Sequence, residues 1–107
     1  NQQLNRQFNC VLLNLYQNGS EHMGWHSDDE PELGVDPDIA SLSLGQERRF
    51  DLKHKHQHYQ MSLPLQNGDL LLMLGPCQQH WQHRVPKQAQ ANSARLNLTF
   101  RYIEKPL

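Results

Sequence analysis

The segment that most clearly indicates the fold is residues 94–103, which read ARLNLTFRYI. Polar and apolar side chains alternate along this segment. Successive side chains of a β-strand point to opposite faces, so a period of two is typical of a strand with two different faces. One face would carry Arg95, Asn97, Thr99 and Arg101, and the other Leu96, Leu98, Phe100 and Tyr102. We therefore predict a strand over residues 94–103.

Other short apolar segments are bounded by turn residues and also predict strands. They cover residues 8–16, 39–44, 49–55, 61–65 and 69–74. The last is nearly all apolar, which is typical of a strand buried on both faces. Residues 28–38 are acidic and contain Pro and Gly, so they predict a loop, and residues 75–86 predict a loop or tight turn. No segment predicts a helix of three turns, and the pattern favours a mainly-β fold such as a jelly roll.

Composition limits the classes of function. The chain has 107 residues, enough for one domain with one core. Its formal net charge of −1, with His neutral, argues against a protein that coats nucleic acid by charge alone. It does not argue against an enzyme with a local basic patch. No apolar run approaches the ~20 residues that span a bilayer, so we expect no membrane segment. Cys10 and Cys77 form no CxxC pair, so we expect reduced thiols.

The polar face of the last strand has two interpretations. The apolar face can pack on the core while the polar face meets water, as in an ordinary amphipathic strand. The segment 8–16 favours another arrangement, because Asn14 and Tyr16 follow two small apolar residues on one of its faces. If both polar faces line the interior, they form a pocket with two guanidiniums, two amides and a phenol. Buried arginines are costly unless anions meet them, and a dicarboxylate would do so.

A candidate metal site lies in the first third of the chain. His26-Ser27-Asp28 places an imidazole and a carboxylate on the same side of an extended segment. A second imidazole from a distant strand would complete three ligands on one face of a metal ion. This set is typical of non-haem Fe(II) oxygenases, whose open positions bind a cosubstrate and O₂. The spacing leaves both His80 and His83 as candidates for the distant ligand.

The order of these parts resembles the AlkB-like family of Fe(II)- and 2-oxoglutarate-dependent dioxygenases, which includes nucleic-acid demethylases. The resemblance covers residues 14–103. Each motif alone is weakly specific, whereas the ordered set is specific. The motifs are NxY at 14–16, GWHSDDEP at 24–31, IASLSLG at 39–45, GDLLLM at 68–73, WxHxVP at 81–86 and RxNxxxR at 95–101.

The resemblance implies roles for individual residues. The iron ligands would be His26, Asp28 and His83. The 2-oxoglutarate site would be formed by Asn14, Tyr16, Arg95, Asn97, Thr99 and Arg101. Arg95 would bind the distal carboxylate, and Arg101 and Asn97 would lie toward the end that chelates iron. The implied reaction consumes O₂ and 2-oxoglutarate and removes N-alkyl groups from nucleic-acid bases, with release of formaldehyde, succinate and CO₂.

Three further positions concern the substrate. Asp29 matches an acidic residue that family members place against the substrate base, and the alternative is that it belongs to a solvated acidic loop. Arg48 and Arg49 follow a strand that leads toward the mouth of the family's barrel. They would either contact phosphate or substrate, with Arg49 the preferred candidate, or lie in solvent.

The resemblance also implies a domain organisation. Residues 1–107 would form a single catalytic domain with a double-stranded β-helix (jelly-roll) core. This domain would be the C-terminal core of a longer protein, because only 13 residues precede Asn14 and the family's N-terminal lid is largely absent. The same oxygenase chemistry on a protein, lipid or small molecule is the alternative function, and a non-catalytic scaffold is a third. We expect an intracellular monomer that acts on alkylated DNA or RNA.

Overall fold

The computed structural model describes residues 8–28, 33–34, 37–74 and 76–102. No helix in this part of the chain is both long and apolar enough to cross a membrane. The elements that it contains are, in order, β1 (Cys10–Tyr16), β2 (Met23–His26), β3 (Ile39–Gly45), β4 (Arg48–His54), β5 (Gln60–Leu65), β6 (Leu70–Met73), α1 (Cys77–His80), β7 (Trp81–Val85) and β8 (Arg95–Arg101).

The strands form two antiparallel four-stranded sheets. The strand orders are β1-β8-β3-β6 in the first sheet and β2-β7-β4-β5 in the second. Apart from the β4–β5 hairpin, every pair of strands that are consecutive in the chain divides between the two sheets. The predicted mainly-β, jelly-roll core is therefore confirmed.

The hydrophobic core lies between the two sheets, because both contribute buried side chains to it. These side chains are Tyr16, Ile39, Phe50, Leu52, Leu65, Met73 and Val85. The inner faces of the strands therefore point toward one shared interior, and any polar residue on an inner face is removed from bulk water.

Two predictions for residues 69–86 are wrong. Among the described strands β6 pairs only with β3, at the edge of the sheet, and Leu70 and Leu72 are exposed rather than buried. The segment predicted as a loop contains α1 and β7, and β7 pairs with both β2 and β4. β2 was not predicted either. β2 has only four residues, and β7 carries Gln, His and Arg between its terminal Trp and Val. The conformation of both strands therefore depends on their neighbours in the sheet.

In the first sheet, β1 and β8 direct most of their apolar side chains outward and their polar side chains inward. Val11, Leu13 and Leu15 of β1 are exposed, whereas Arg95 and Thr99 of β8 are buried. The interpretation in which the polar face of the last strand meets water is therefore wrong. The alternative, in which the polar faces of two neighbouring strands line the interior, describes the observed arrangement.

One buried carboxylate connects the strands of the second sheet on its outer face. Asp51 of β4 accepts hydrogen bonds from Arg49 Nε at 2.9 Å, Arg84 Nε at 2.8 Å and Ser62 Oγ at 2.6 Å. Arg84 belongs to β7 and Ser62 to β5. The Arg84 guanidinium also lies 4.5 Å from the ring centre of Trp25 in β2. These contacts link all four strands of the sheet that carries the two candidate ligand histidines.

We predict that Asp51→Asn destabilises the chain by about 1–3 kcal/mol at neutral pH, because charge-assisted hydrogen bonds are lost from a buried group. Burial alone would raise the pKa of Asp51. The hydrogen bonds from Arg49, Ser62 and Arg84 outweigh burial and hold that pKa well below its ordinary value of 3.8. The folded-state pKa is thus below the unfolded value, so this stabilisation is present above pH ~4 and is lost as the pH falls further.

Urea unfolding of Asp51→Asn and wild type between pH 7 and pH 3 checks this prediction. The difference in unfolding free energy should be constant near neutrality and shrink below pH ~4. Glu47→Gln, at an exposed position, is the control and should have little effect. A difference that does not change over this pH range would contradict the assignment of the effect to the ionised Asp51.

Candidate active site

Two histidines face each other across neighbouring strands. His26 ends β2 and His83 lies at the centre of β7, and antiparallel pairing places them directly opposite each other. Their ring centroids are 4.2 Å apart in an edge-to-face arrangement. Nδ1 of His26 lies 2.8 Å from the Gly24 carbonyl oxygen. A carbonyl can only accept, so Nδ1 carries the proton and Nε2 keeps its lone pair for a metal ion.

Asp28 lies two residues beyond the end of β2, where side-chain hydrogen bonds hold the backbone. The Asp28 backbone N–H donates to Oε1 of Gln78 at 2.8 Å. The Ser27 hydroxyl donates to the Trp81 carbonyl at 2.6 Å. Oδ2 of Asp28 then lies 3.7 Å from Nε2 of His83. The carboxylate therefore reaches the two facing imidazoles from a position outside the strand ladder.

The three predicted ligands converge. His26, Asp28 and His83 each offer one ligand atom, and these atoms all lie within 4.8 Å of one another. Burial, followed by the proximity of His26, lowers the pKa of His83 to about 3, so its imidazole is neutral near pH 7, the form that binds metals. His80 is not part of this group, and its ring stacks on His54 at 5.9 Å. The geometry therefore selects His83 over His80 as the distant ligand.

A cavity of about 200 Å³ lies between the sheets beside these ligands. It is lined by all three candidate metal ligands and by five of the six residues predicted for 2-oxoglutarate. The lining residues are Leu12, Asn14, Tyr16, Met23, His26, Asp28, Ser41, Phe50, Met73, His83, Val85, Arg95, Asn97 and Thr99. The structure thus joins the predicted metal site and most of the predicted cosubstrate site in one interior space.

Arg95 places a buried cation in the cavity wall. The residue is 1% exposed, and its Nη2 donates to the Ser43 hydroxyl at 2.9 Å. Its Nε and Nη1 have no hydrogen-bond partner among the described residues. The guanidinium lies 5.4 Å from the Tyr16 ring centre, and burial lowers the pKa of Arg95. A carboxylate in the cavity could accept from the unpaired N–H groups and offset the cost of burying the charge.

A line of polar side chains continues from Arg95 along the inner face of the first sheet. The Ser41 hydroxyl donates to Oδ1 of Asn97 at 2.7 Å, and Nδ2 of Asn97 donates to the Thr99 hydroxyl at 2.9 Å. Ser41 and Ser43 were not predicted as site residues. The alternation of Ser and aliphatic residues in 39–44 was visible in the sequence. The missing information was the pairing of β3 with β8, which sets Ser43 opposite Asn97 and Ser41 opposite Thr99.

Arg48 is neither at the substrate nor in solvent, the two alternatives that the sequence left open. It is 1% exposed, and its guanidinium donates to the backbone carbonyls of Asn18 at 3.1 Å and of Glu21 and Pro86 at 2.8 Å. These carbonyls belong to the segments that precede β2 and follow β7. Arg48 therefore fixes the ends of the two strands that carry the ligand histidines.

Of the other predicted residues, two do not line the cavity and one lies outside the described residues. Arg49 lies on the outer face of β4, paired with Asp51. Arg101 ends β8, two positions beyond Thr99 on the same face, and is not a lining residue of the cavity. Asp29 lies outside the described residues.

Comparison with known proteins identifies the family. Residues 2–101 match the family described as the 2OG-Fe(II) oxygenase superfamily. This match covers most of the sequence, and the chain belongs to that superfamily. The cofactor that the superfamily implies is Fe(II), with 2-oxoglutarate and O₂ as cosubstrates.

Individual relatives confirm the AlkB-like resemblance. The chain is 46% identical over 105 residues to alpha-ketoglutarate-dependent dioxygenase alkB homolog 3 of Bos taurus, covering 90% of this chain and 37% of the relative. It is 41% identical over 104 residues to the human DNA oxidative demethylase ALKBH2, covering 90% and 40%. The solved structure of OsALKBH1 matches with a TM-score of 0.70 and 26% identity, covering 91% of this chain and 49% of that one. The chain spans about two fifths of the length of the curated relatives it matches.

The observed side chains fit the metal and the cosubstrate that the superfamily implies. Two imidazoles and one carboxylate are the donor set of a non-haem Fe(II) site, and they converge here without other ligands from the described residues. Arg95, two of whose N–H groups have no partner among the described residues, lines the same cavity, and a guanidinium suits one end of a dicarboxylate. The two requirements are met by different residues of one interior space.

We predict different effects on stability for substitutions of the two buried arginines. Arg48→Met should lower the unfolding free energy of the ligand-free chain by at least about 2 kcal/mol, because it removes the hydrogen bonds that a buried cation donates to three backbone carbonyls. Arg95→Met should change it by less than about 1 kcal/mol or raise it, because unpaired N–H groups of a buried cation are replaced by apolar atoms. Urea unfolding without metal or 2-oxoglutarate measures both. A loss in Arg95→Met as large as that in Arg48→Met would show that Arg95 serves the fold rather than a ligand.

Proposed function

We propose that this chain is the catalytic domain of an Fe(II)- and 2-oxoglutarate-dependent dioxygenase that removes N-alkyl groups from nucleic-acid bases. The observation that carries the proposal is the shared cavity. The three candidate metal ligands and Arg95, two of whose N–H groups have no partner among the described residues, all line it. An oxygenase of this class needs both groups within the reach of one small dicarboxylate.

His26, Asp28 and His83 would hold Fe(II) from one side and leave the other side of the ion free. When bound, the iron with 2-oxoglutarate and O₂ supplies an oxidation that hydroxylates a C–H bond and yields succinate and CO₂. On an N-alkyl group the hydroxylated carbon then leaves as an aldehyde, which is formaldehyde for a methyl group. The chain's own contribution is to keep the His83 imidazole neutral, to orient the carboxylate and to enclose the reaction between two sheets.

The cosubstrate would lie along the polar face of β8. Arg95 would bind its distal carboxylate, with Tyr16 and Asn14 in the adjoining cavity wall. Asn97 and Thr99 continue that wall, and Arg101 is proposed for the end nearer the iron. The hydrogen bonds from Ser41 to Asn97 and from Asn97 to Thr99 hold these side chains in place before any ligand binds. Such preorganisation lowers the entropic cost of binding.

The proposed substrate is alkylated DNA or RNA. It is supported by the similarity to a DNA oxidative demethylase and to other AlkB homologues over 90% of this chain. Asp29 and Arg49 are proposed as substrate contacts. Arg49 would have to reach nucleic acid from the outer face of β4, where its side chain is 47% exposed. A base within a duplex would be flipped out of the stack to reach the enclosed ligands.

The decisive experiment incubates the chain with Fe(II), 2-oxoglutarate, O₂ and a single-stranded oligonucleotide that carries an N-methylated base. We expect succinate and formaldehyde from the wild type, background levels from His83→Ala, and near wild-type levels from His80→Ala, the matched histidine control. Succinate without formaldehyde would support the oxygenase activity but favour a protein, lipid or small-molecule substrate over nucleic acid. No turnover and no metal binding in folded wild-type protein would contradict the proposal.

We further propose that residues 1–107 form a single domain that is monomeric and intracellular. The two cysteines, Cys10 and Cys77, are both free thiols, as expected in a reducing compartment. Light scattering of the purified chain tests the oligomeric state, and a concentration-independent mass of twice 12.5 kDa would contradict a monomer.

A further inference from the structure

Gln78 is a buried polar residue that the proposed reaction does not use directly. It lies in α1, a single helical turn between β6 and β7, and it is 2% exposed. Gln79, the next residue, is exposed. A neutral amide is placed in an interior when its hydrogen bonds have partners there, because burying an unpaired amide is destabilising. The partners of Gln78 therefore indicate its role.

The first partner is the candidate ligand Asp28. Oε1 of Gln78 accepts the Asp28 backbone N–H at 2.8 Å, although 50 residues separate them in the chain. His26 and His83 are fixed by the pairing of β2 with β7. Asp28 lies beyond that ladder, so its backbone depends on hydrogen bonds from outside β2. The hydrogen bond to Gln78 holds the backbone of Asp28 itself. The hydrogen bond from the Ser27 hydroxyl to the Trp81 carbonyl holds the preceding residue.

Other contacts hold Gln78 in place on the opposite side. Its Nε2 lies 3.5 Å from Sδ of the core residue Met73, and its own carbonyl accepts a hydrogen bond from Nζ of Lys55 at 3.3 Å. The Lys55 backbone N–H also donates to the His80 carbonyl at 2.8 Å, which ties the same helical turn to the end of β4. Gln78, whose side-chain oxygen accepts the Asp28 N–H, therefore contacts residues from both sheets.

We propose that Gln78 is a positioning residue for Asp28, an inference that rests on the proposed function of Asp28 as a metal ligand. Its side-chain oxygen fixes the Asp28 backbone and so keeps the carboxylate within reach of the metal that His26 and His83 bind. An amide suits this position because it offers an acceptor oxygen without placing a second negative charge beside Asp28. Residues that orient a ligand in this way typically contribute 10- to 100-fold to metal affinity.

The test compares Gln78→Met with wild type, because Met has similar length and volume but lacks the acceptor oxygen. Hydrogen exchange of the Asp28 amide in the metal-free chain reports the hydrogen bond directly. Mn(II) titration followed by electron paramagnetic resonance reports ligand geometry without turnover. We expect the Asp28 amide to lose protection and the Mn(II) dissociation constant to rise about 10-fold or more. Gln79→Met, one position away at the exposed residue, should change neither.

Gln78→Glu separates positioning from packing, because it keeps an acceptor oxygen at the same reach. It should retain more of the Asp28 amide protection than Gln78→Met does. Unchanged Mn(II) affinity in a folded Gln78→Met protein, with only a lower melting temperature, would overturn the inference and leave the proposed function intact. A wild-type chain that binds no Mn(II) would overturn both. If Gln78→Met does not fold, hydrogen exchange of the wild-type protein still tests the inference. A wild-type Asp28 amide that exchanges as fast as exposed amides would overturn it.

Discussion

The buried guanidinium of Arg95 is the constraint on which the interior of this chain depends. A cation with unpaired N–H groups is tolerated inside a protein only if an anion or a polar surrounding offsets its desolvation. Ser43, Asn97 and Tyr16 provide part of that surrounding, and two N–H groups of Arg95, a residue that lines the cavity, have no partner among the described residues. The first sheet therefore directs its polar face inward, and the apolar residues of β1, such as Leu13, lie on the outside.

The candidate metal ligands depend on a second constraint, the pairing of short strands. β2 and β7 have four and five residues and gain little stability alone, so their positions come from what surrounds them. On the outer face of the sheet, Asp51 connects β4, β5 and β7. At one end of β2 and β7, Arg48 donates hydrogen bonds to the backbone segment that precedes β2 and to the one that follows β7. At the other end, Gln78 holds Asp28. The three ligands thus converge because buried polar contacts on different sides fix short strands that would otherwise be marginal.

The parts that the sequence predicts are those with local signals. The alternation in residues 94–103 predicts β8 and its two faces, and the HxD spacing with the ordered motifs predicts His26, Asp28 and His83. The parts that it does not predict depend on long-range pairing. β7 looks like a loop after Gly75-Pro76 and becomes a strand because β2 and β4 lie on either side of it. Gln78 carries no motif at all, and its role follows only from the fold that brings it to Asp28.

We propose that one cavity binds a divalent metal and 2-oxoglutarate together, with Arg95 at the far end of the cosubstrate. Calorimetric titration of 2-oxoglutarate into the Mn(II)-loaded chain, without oxygen, tests it most directly. We expect saturable binding that requires Mn(II) and is lost in His83→Ala. In Arg95→Met the binding should weaken about 10- to 100-fold, because Met cannot donate a hydrogen bond to the carboxylate of 2-oxoglutarate. Binding of equal strength with and without Mn(II), and in wild type and Arg95→Met, would contradict the account.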